Sequence, residues 1–348
     1  MPDAVAGITG LSSPADAIGP DRPTAAPSRT LRGRALLAVR ILVTLAIAAG
    51  ILYATVESWR DVKSTILGLA WQSVLLSLVA ALLGYAANTM GWRAALADME
   101  FRASLPATAR IYLVGQLAKY LPGGVWAYVL QMELGRRAGL PRARAFLASI
   151  VATGLSITAG LVVGMFGLRA LFDAAHTSTS GTIALYVVIG IVPVALVCSH
   201  PRVLTALVQL FLKLVRRKPL RHELSWSGVL KVIGFSGLAF VFFGLHLWLL
   251  TNMEAEPGTR GVLTCIGAFA LALIAGTFVV ISPSGLGARE AVLTAALSAF
   301  MPAGVALGVA LASRLVFTAA DVIAAGGAAL WSWRIVRGTP EPEVTYAP

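Results

Sequence analysis

The feature that most constrains this chain is a series of long apolar runs that contain almost no ionisable side chain. Each run approaches the roughly 20 residues that an α-helix needs to cross about 30 Å of hydrocarbon. Charged residues make up only 13% of the chain, whereas a soluble domain carries roughly 25%. Because so few charges could not cover a water-exposed surface, we expect an all-α, polytopic helical membrane protein. The runs predict about seven to eight transmembrane helices.

The apolar runs divide the chain into a membrane domain and two tails. Residues 1–30 are rich in Pro, Ala and Ser and predict a disordered cytoplasmic tail. We expect residues 31–337 to form a single transmembrane domain and residues 338–348 a short C-terminal tail. Clear spans are predicted at residues 35–56, 71–97, 145–168, 182–199, 229–251, 262–281 and 304–333.

Proline and glycine interrupt two further apolar stretches, at residues 104–131 and 286–301. Membranes tolerate broken helices only where the exposed backbone is buried in protein or lines a wet cavity. We predict broken or re-entrant segments there, with 262–301 forming either two full spans or a re-entrant hairpin. Their comparable positions in the two halves favour an inverted repeat with a binding site near the midplane. Two helix-end turns at the membrane interface would explain the same pattern.

The net charge of +12 comes mainly from short loops. Lys and Arg cluster around residues 136–144 and in the loop 200–231, and such clusters face the cytoplasm in membrane proteins. The pattern predicts a plasma-membrane protein with both termini in the cytoplasm. Because topology accounts for the charge, we expect no nucleic-acid partner.

The sequence contains no motif typical of a metal site, a nucleotide-binding site or a catalytic site in a soluble segment. Cys198 and Cys265 lie within apolar runs, and the histidines lack zinc-ligand spacing. There is no nucleotide-binding loop and no nucleophile elbow. We therefore expect no cofactor, no metal and no catalytic residue.

Ionisable residues beside the helix breaks are the candidate substrate-binding groups. A charge at the membrane centre costs about 2.5 to 3.5 kcal/mol on insertion scales, so each needs a partner or a function. Lys119 precedes the first break, and Arg289 and Glu290 follow the second. The predicted site consists of Lys119, Pro122, Gly123, Gly124, Trp126, Pro283, Gly285, Gly287, Arg289, Glu290, Arg314 and Asp321.

Simpler roles stay open for these charges. Lys119 could snorkel to the interface, and Arg289 could form an ion pair with a neighbouring helix. Arg314 and Asp321 lie on one helical face, which allows a mutual or a cross-helix salt bridge.

Other polar and aromatic residues are weaker candidates. Asn88, Gln116 and Gln131 suit helix–helix hydrogen bonds as well as substrate contacts. Trp92, like most of the tryptophans, lies at a predicted span end and is assigned to the aromatic belt. Trp126 is kept because it follows the first break.

The two interrupted segments resemble the motifs of a known family. Residues 115–124, Gly-Gln-Leu-Ala-Lys-Tyr-Leu-Pro-Gly-Gly, are similar to the first motif. Residues 283–290, Pro-Ser-Gly-Leu-Gly-Ala-Arg-Glu, followed by Arg314, are similar to the second. The family is the lysylphosphatidylglycerol synthase transmembrane-region family of flippase-like membrane proteins. The resemblance spans residues 35–335 and implies re-entrant elements and the handling of phospholipids or polyprenyl-linked sugars.

The chain departs from the family's pattern in two places. Aminoacylating members carry a large soluble transferase domain after the membrane region, whereas this chain ends at Pro348, soon after Arg337. Many relatives also place Gly-Glu-x-x-Arg after the first proline motif, where residues 125–130 have neither the acid nor the arginine. We therefore expect no lysyl transfer and favour a protein that is not an enzyme.

The pattern as a whole predicts a flippase or transporter of an anionic phospholipid or a polyprenyl-phosphate-linked sugar. Lys119, Arg289 and Arg314 would neutralise the phosphate, glycine-rich backbone would donate N–H groups, and Glu290 and Asp321 would hold the arginines or relay a proton. One alternative is a non-catalytic membrane partner that recruits a membrane or cytoplasmic enzyme through the loop 200–231. Another is an intramembrane lipid transferase, which would need an acid–base or nucleophile cluster.

Overall fold

A computed structural model describes residues 45, 49, 52–53, 55–121, 124–167, 179–214, 216, 223–255, 258–279, 282–336 and 344–346. The helices are α1 (Trp59–Gly68), α2 (Trp71–Asp98), α3 (Leu105–Ala109), α4 (Trp126–Arg137), α5 (Arg142–Gly164), α6 (Thr179–Cys198), α7 (Pro201–Leu214), α8 (Trp226–Ala255), α9 (Gly258–Phe278), α10 (Ala288–Leu297) and α11 (Ala303–Val336). A π-helical turn occupies Arg110–Val114. Turns of 3₁₀ helix occupy Leu117–Tyr120, Met165–Gly167 and Pro283–Gly285. Two short strands are β1 (Phe101–Ala103) and β2 (Val344–Tyr346).

Helices of membrane-spanning length dominate the described residues, which confirms a helical membrane protein. Five stretches are long and apolar enough to cross a membrane: Trp71–Asp98, Arg142–Gly167, Trp226–Thr251, Arg260–Phe278 and Ala303–Ile335. Ile189–Cys198 and Pro201–Leu214 meet at 74° and add a sixth if together they form one broken span. The predicted span 35–56 lies largely outside the described residues, so the count of about seven to eight spans stays a prediction.

Close helix contacts in the bundle rely on small residues. The largest interface joins α2 to α8, where a Cβ on Gly84 would lie 2.3 Å from the Phe243 ring. A Cβ on Gly244 would lie 2.2 Å from the Ile266 backbone, between α8 and α9. Because lipid tails are as apolar as the helices, membrane helices gain stability by such close approach.

Helix α7 corrects the prediction that residues 200–231 form a loop. Its apolar residues recur at helical spacing, and Val208 and Leu212 are buried while Leu210 and Leu214 are exposed. Pro201 occupies the first helical position, which proline favours. The basic residues at both ends of the segment concealed this amphipathic helix.

The helices are interrupted in both stretches that the sequence predicts as broken segments. In the first, helix α3 passes through the π and 3₁₀ turns to Leu121, and α4 begins only at Trp126. In the second, the turn Pro283–Gly285 separates α9 from α10. Helix α10 has ten residues, about 15 Å of helix, and is too short to cross the membrane. The turns Leu117–Tyr120 and Pro283–Gly285 contact each other, so the two breaks meet inside the bundle.

The C-terminal segment contributes a strand. Strand β2 pairs antiparallel with β1, with Phe101 opposite Tyr346 and Ala103 opposite Val344. Val344 is buried in the apolar cluster around Trp92 and Leu96, so part of the predicted tail packs against the bundle.

Candidate functional site

A cavity of about 270 Å³ lies where the two helix breaks meet helices α2, α5, α8 and α9. Its polar lining includes the tyrosines Tyr85, Tyr112 and Tyr128 and the amides Asn88, Gln116 and Gln131. Serine and threonine hydroxyl groups from α5, α8 and α9 add to it. Among the described residues that line the cavity, the charged side chains are Lys119 and Arg289.

The cavity extends from the middle of α2 toward its C-terminal end. Tyr85 and Trp92 mark these two positions along α2. Trp92 is 1% exposed, and its indole N–H donates to Ser149 Oγ at 3.0 Å. Ser149 in turn donates to Gln131 Oε1 at 2.6 Å. The aromatic-belt prediction is wrong for Trp92, because its ring fills the space between α2 and α5 and its N–H finds a partner there.

Arg289 is the most unusual group in the cavity. It is 5% exposed, and its guanidinium carbon lies 4.6 Å from the Phe269 ring centre and 4.4 Å from that of Phe317. These rings stabilise the cation through their faces. The Nη2 group has no hydrogen-bond partner among the described residues, although buried polar groups are almost always paired. Arg289 therefore lines the cavity and carries a buried donor that has no partner among the described residues.

Glycine geometry sets the position of Arg289. Gly285 has a φ of +69°, and a Cβ on it would lie 2.6 Å from Gly276 Cα. Gly287 has a φ of +90°, and its N–H donates to Glu290 Oε2 at 2.7 Å. A glutamate at the third helical position that accepts from the N-cap N–H is half of a capping box. Helix α10 therefore starts at Ala288, with Arg289 in its first turn.

Glu290 also forms an ion pair with Arg314 of α11. The Glu290 side chain is 3% exposed and that of Arg314 is 19% exposed, so this pair is screened from water. Arg314 does not line the cavity. Glu290 of α10 compensates the positive charge of Arg314 on the neighbouring helix α11.

Lys119 pairs with Asp321. Its Nζ lies 2.8 Å from Asp321 Oδ1 and 2.7 Å from Oδ2. The Tyr120 hydroxyl donates to Asp321 Oδ2 at 2.6 Å, and Lys119 also donates to the Tyr85 hydroxyl at 3.4 Å. Arg314 and Asp321, both in α11, thus pair with different segments and not with each other. Seven residues of helix, a rise of roughly 10 Å, separate them.

The remaining predicted site residues occupy different places. Gly124 and Gly285 line the cavity, and Pro283 begins the second turn. Trp126 is the first residue of α4 and 46% exposed, and it does not line the cavity. Pro122 and Gly123 lie outside the described residues.

Most of the hydroxyl-rich wall was missed by sequence reasoning. Ser149, Thr153 and Ser156 of α5 line the cavity and recur at i, i+4 and i+7. Tyr85 and Asn88 of α2, which also line it, stand three residues apart. Such spacing places polar side chains on one helical face, and this pattern within apolar runs is the signal that would have identified both walls.

The possible metal ligands His, Cys, Asp and Glu are dispersed in the part of the chain that the structure describes. Within the ranges that it describes, no group of three or more His, Cys, Asp or Glu side chains could hold a metal ion.

Comparison with known proteins places the chain at the level of a family. No curated protein matches the chain. The family described as the lysylphosphatidylglycerol synthase TM region matches residues 41–325. The match covers most of the chain, including both helix breaks and every residue that lines the cavity. This protein, with its helical membrane bundle and two broken segments, therefore belongs to the lysylphosphatidylglycerol synthase TM region family.

Proposed function

We propose that this protein moves anionic lipid head groups across the membrane through the cavity between its two helix breaks. The observation that carries the proposal is Arg289, a buried cation in the wall of a polar cavity, with one donor that has no hydrogen-bond partner among the described residues. The lipid tails would remain in the bilayer while the head group enters the cavity.

The depth of Arg289 supports the proposal. The Phe269 and Phe317 rings that flank its guanidinium lie near the middle of α9 and α11, both of which are long enough to cross the membrane. Ionisable residues at this depth are costly and mark the paths of substrates or ions. The planar N–H fork of arginine matches the oxygens of phosphate.

The cavity suits a head group better than a whole lipid. Its volume of about 270 Å³ lies just under the roughly 300–1,000 Å³ typical of small-molecule sites. Amide and hydroxyl side chains line it, and these donate and accept hydrogen bonds without adding charge. They can replace water around a polar head group during its passage.

The contacts support a different assignment of roles from the one that the sequence predicts. Arg314 is engaged by Glu290, Lys119 by Asp321, and the Gly287 N–H by Glu290. In the proposed mechanism Arg289 binds the phosphate, and side-chain amides and hydroxyl groups replace the backbone donors. The two ion pairs then hold the broken segments against α11.

Translocation in reconstituted liposomes tests the proposal. A fluorescent anionic phospholipid is incorporated, and a membrane-impermeant quencher reports its movement between leaflets. We expect Arg289→Gln to slow the protein-dependent rate roughly 10- to 100-fold, because a hydrogen bond to a charged group is worth about 1.5–3 kcal/mol. The matched control is Arg60→Gln, which removes an exposed arginine of α1 that does not line the cavity.

Two outcomes would contradict the proposal. An Arg289→Gln protein that moves lipid at the wild-type rate would remove Arg289 from the mechanism. A wild-type protein that binds lipid but moves none would favour a non-transporting membrane partner of an enzyme.

A further inference from the structure

A second cavity, of about 540 Å³, lies at the end of the bundle where helix α5 begins. We call it the arginine pocket. Its lining consists of three arginines and four apolar residues: Arg136, Arg142, Arg144, Phe101, Pro141, Ala143 and Leu212. None of these residues lines the cavity between the two helix breaks. The arginine pocket is therefore a separate feature of the molecule.

Positive charge is in excess beside the arginine pocket. Arg136 and Arg142 both pair with the Glu133 carboxylate. Arg137 pairs with it as well, so three guanidinium groups meet one negative charge. Among the described residues that line the pocket there is no Asp or Glu.

Arg142 is the arginine that an incoming anion can engage most easily. Arg136 makes two hydrogen bonds to Glu133, at 2.7 and 3.0 Å, whereas Arg142 contributes one, at 3.1 Å. The Arg142 side chain is also 62% exposed. Ion pairs with such exposure contribute little to stability, so the contact with Glu133 does not prevent Arg142 from binding a ligand.

The start of helix α5 adds to the positive potential. Pro141 is the N-cap residue and provides no side-chain cap for the first-turn N–H groups. The first turn contains no Asp or Glu and carries Arg142 and Arg144 instead. Helix N-termini favour anions and disfavour cations. A bound anion would therefore offset both the uncapped N–H groups and the two arginines.

The surroundings of the pocket are those of a membrane interface. The apolar span Arg142–Gly167 begins at the pocket. Helix α7, which contributes Leu212 to the lining, leaves Leu210 and Leu214 exposed. An amphipathic helix with exposed leucines suits the boundary between lipid head groups and acyl chains. A ligand here can place an anionic group at the arginines and an apolar part against Phe101 and Leu212.

We infer that the arginine pocket is a second anion site, which binds the phosphate group of a molecule at the membrane interface. The planar N–H fork of arginine matches phosphate oxygens. In membrane proteins, basic pockets between helices on the cytoplasmic side bind anionic lipid head groups, and a soluble phosphate compound presents the same oxygens. This site goes beyond the proposed transport, because it lies outside the cavity between the breaks and does not use Arg289.

Binding in a protein that carries Arg289→Gln tests the inference, because this substitution removes the cation of the other cavity. Dissociation constants are measured in neutral detergent for dioctanoyl phosphatidic acid and dioctanoyl phosphatidylcholine. We expect phosphatidic acid to bind at least about tenfold tighter, which is the effect of one hydrogen bond between charged groups. Equal affinities for the two lipids would overturn the inference. If Arg289→Gln does not fold, the variants below are compared in a chain that retains Arg289.

Inorganic phosphate separates the two sources of the ligand. If it binds as tightly as phosphatidic acid, the ligand of the pocket is a soluble phosphate compound. If phosphatidic acid binds more tightly, the ligand is a lipid. Either result supports a phosphate site, and the absence of binding by both probes would overturn it.

Two variants connect the binding to the arginine pocket. Arg142→Gln should weaken the binding of phosphatidic acid about tenfold. Ala143→Leu fills the pocket without changing its charge and should weaken the binding as well. The matched control is Arg202→Gln, which removes an exposed arginine of α7 that does not line the pocket and should leave the affinity unchanged. If Arg142→Gln and Ala143→Leu both bind phosphatidic acid like the control, the arginine pocket is not the site.

Discussion

Single residues at the second break decide whether Arg289 reaches the cavity. Gly285 and Gly287 adopt positive φ angles, which side chains with a Cβ disfavour. The spacing of proline, glycine and charged residues in the sequence predicts Gly285, Gly287 and Arg289 as site residues. It could not predict which charges pair, because Asp321 meets Lys119 only after segments distant in the chain come together.

Gly285→Ala tests this local geometry. The new methyl group would lie 2.6 Å from Gly276 Cα at a φ of +69°, so both a clash and backbone strain oppose it. We expect the free energy of unfolding to fall by about 2–5 kcal/mol, the sum of left-handed strain and overpacking, measured as a lower thermal unfolding temperature in detergent. Gly154→Ala is the control, because nothing lies within 4 Å of its Cβ position. Equal unfolding temperatures for wild type and Gly285→Ala would show that the turn is not held as described.

At the scale of elements, the breaks were predictable and their partners were not. Proline and glycine within apolar runs predicted both broken segments. Helix α7 was missed because its terminal charges led us to assign the whole segment to a loop. The Glu290–Arg314 pair joins α10 to α11, and sequence patterns do not reveal such a tertiary contact.

A double-mutant cycle measures how far this ion pair fixes α10. Glu290→Gln leaves Arg314 without its anion, and removing one partner of a buried pair costs about 3–5 kcal/mol. We expect Glu290→Gln combined with Arg314→Gln to be less destabilised than the sum of the single variants, with a coupling energy of about 1–3 kcal/mol. Thermal unfolding of the four proteins supplies the cycle. Additive effects would mean that the two side chains do not interact.

At the scale of the whole molecule, the helical membrane fold was predictable from apolar run length alone. The orientation stays a prediction from charge. Hydrogen bonds from Arg136, and then from Arg142, hold the pKa of the Glu133 carboxyl well below its usual range, so Glu133 stays ionised. Arg136, Arg137 and Arg142 share this one carboxylate. The four side chains together therefore keep a net positive charge. By the positive-inside rule, we expect this end of the bundle to face the cytoplasm.

Cysteine labelling tests that orientation. Cys198 is first replaced by serine and Cys265 by alanine. Arg137→Cys or Arg60→Cys, each at an exposed position, is then introduced as the single cysteine. A membrane-impermeant thiol reagent added to intact cells should label position 60 and spare position 137 until the cells are opened. Labelling of position 137 in intact cells would reverse the proposed topology.

The proposed transport depends on the binding of an anionic head group by Arg289 within the bundle. Mass spectrometry of the lipids that co-purify with wild type and Arg289→Gln from the same cells tests this binding. We expect wild type to be enriched in anionic lipid relative to the bulk membrane and Arg289→Gln to lose this enrichment. The same lipid profile in both proteins, or enrichment of zwitterionic lipid in wild type, would contradict it.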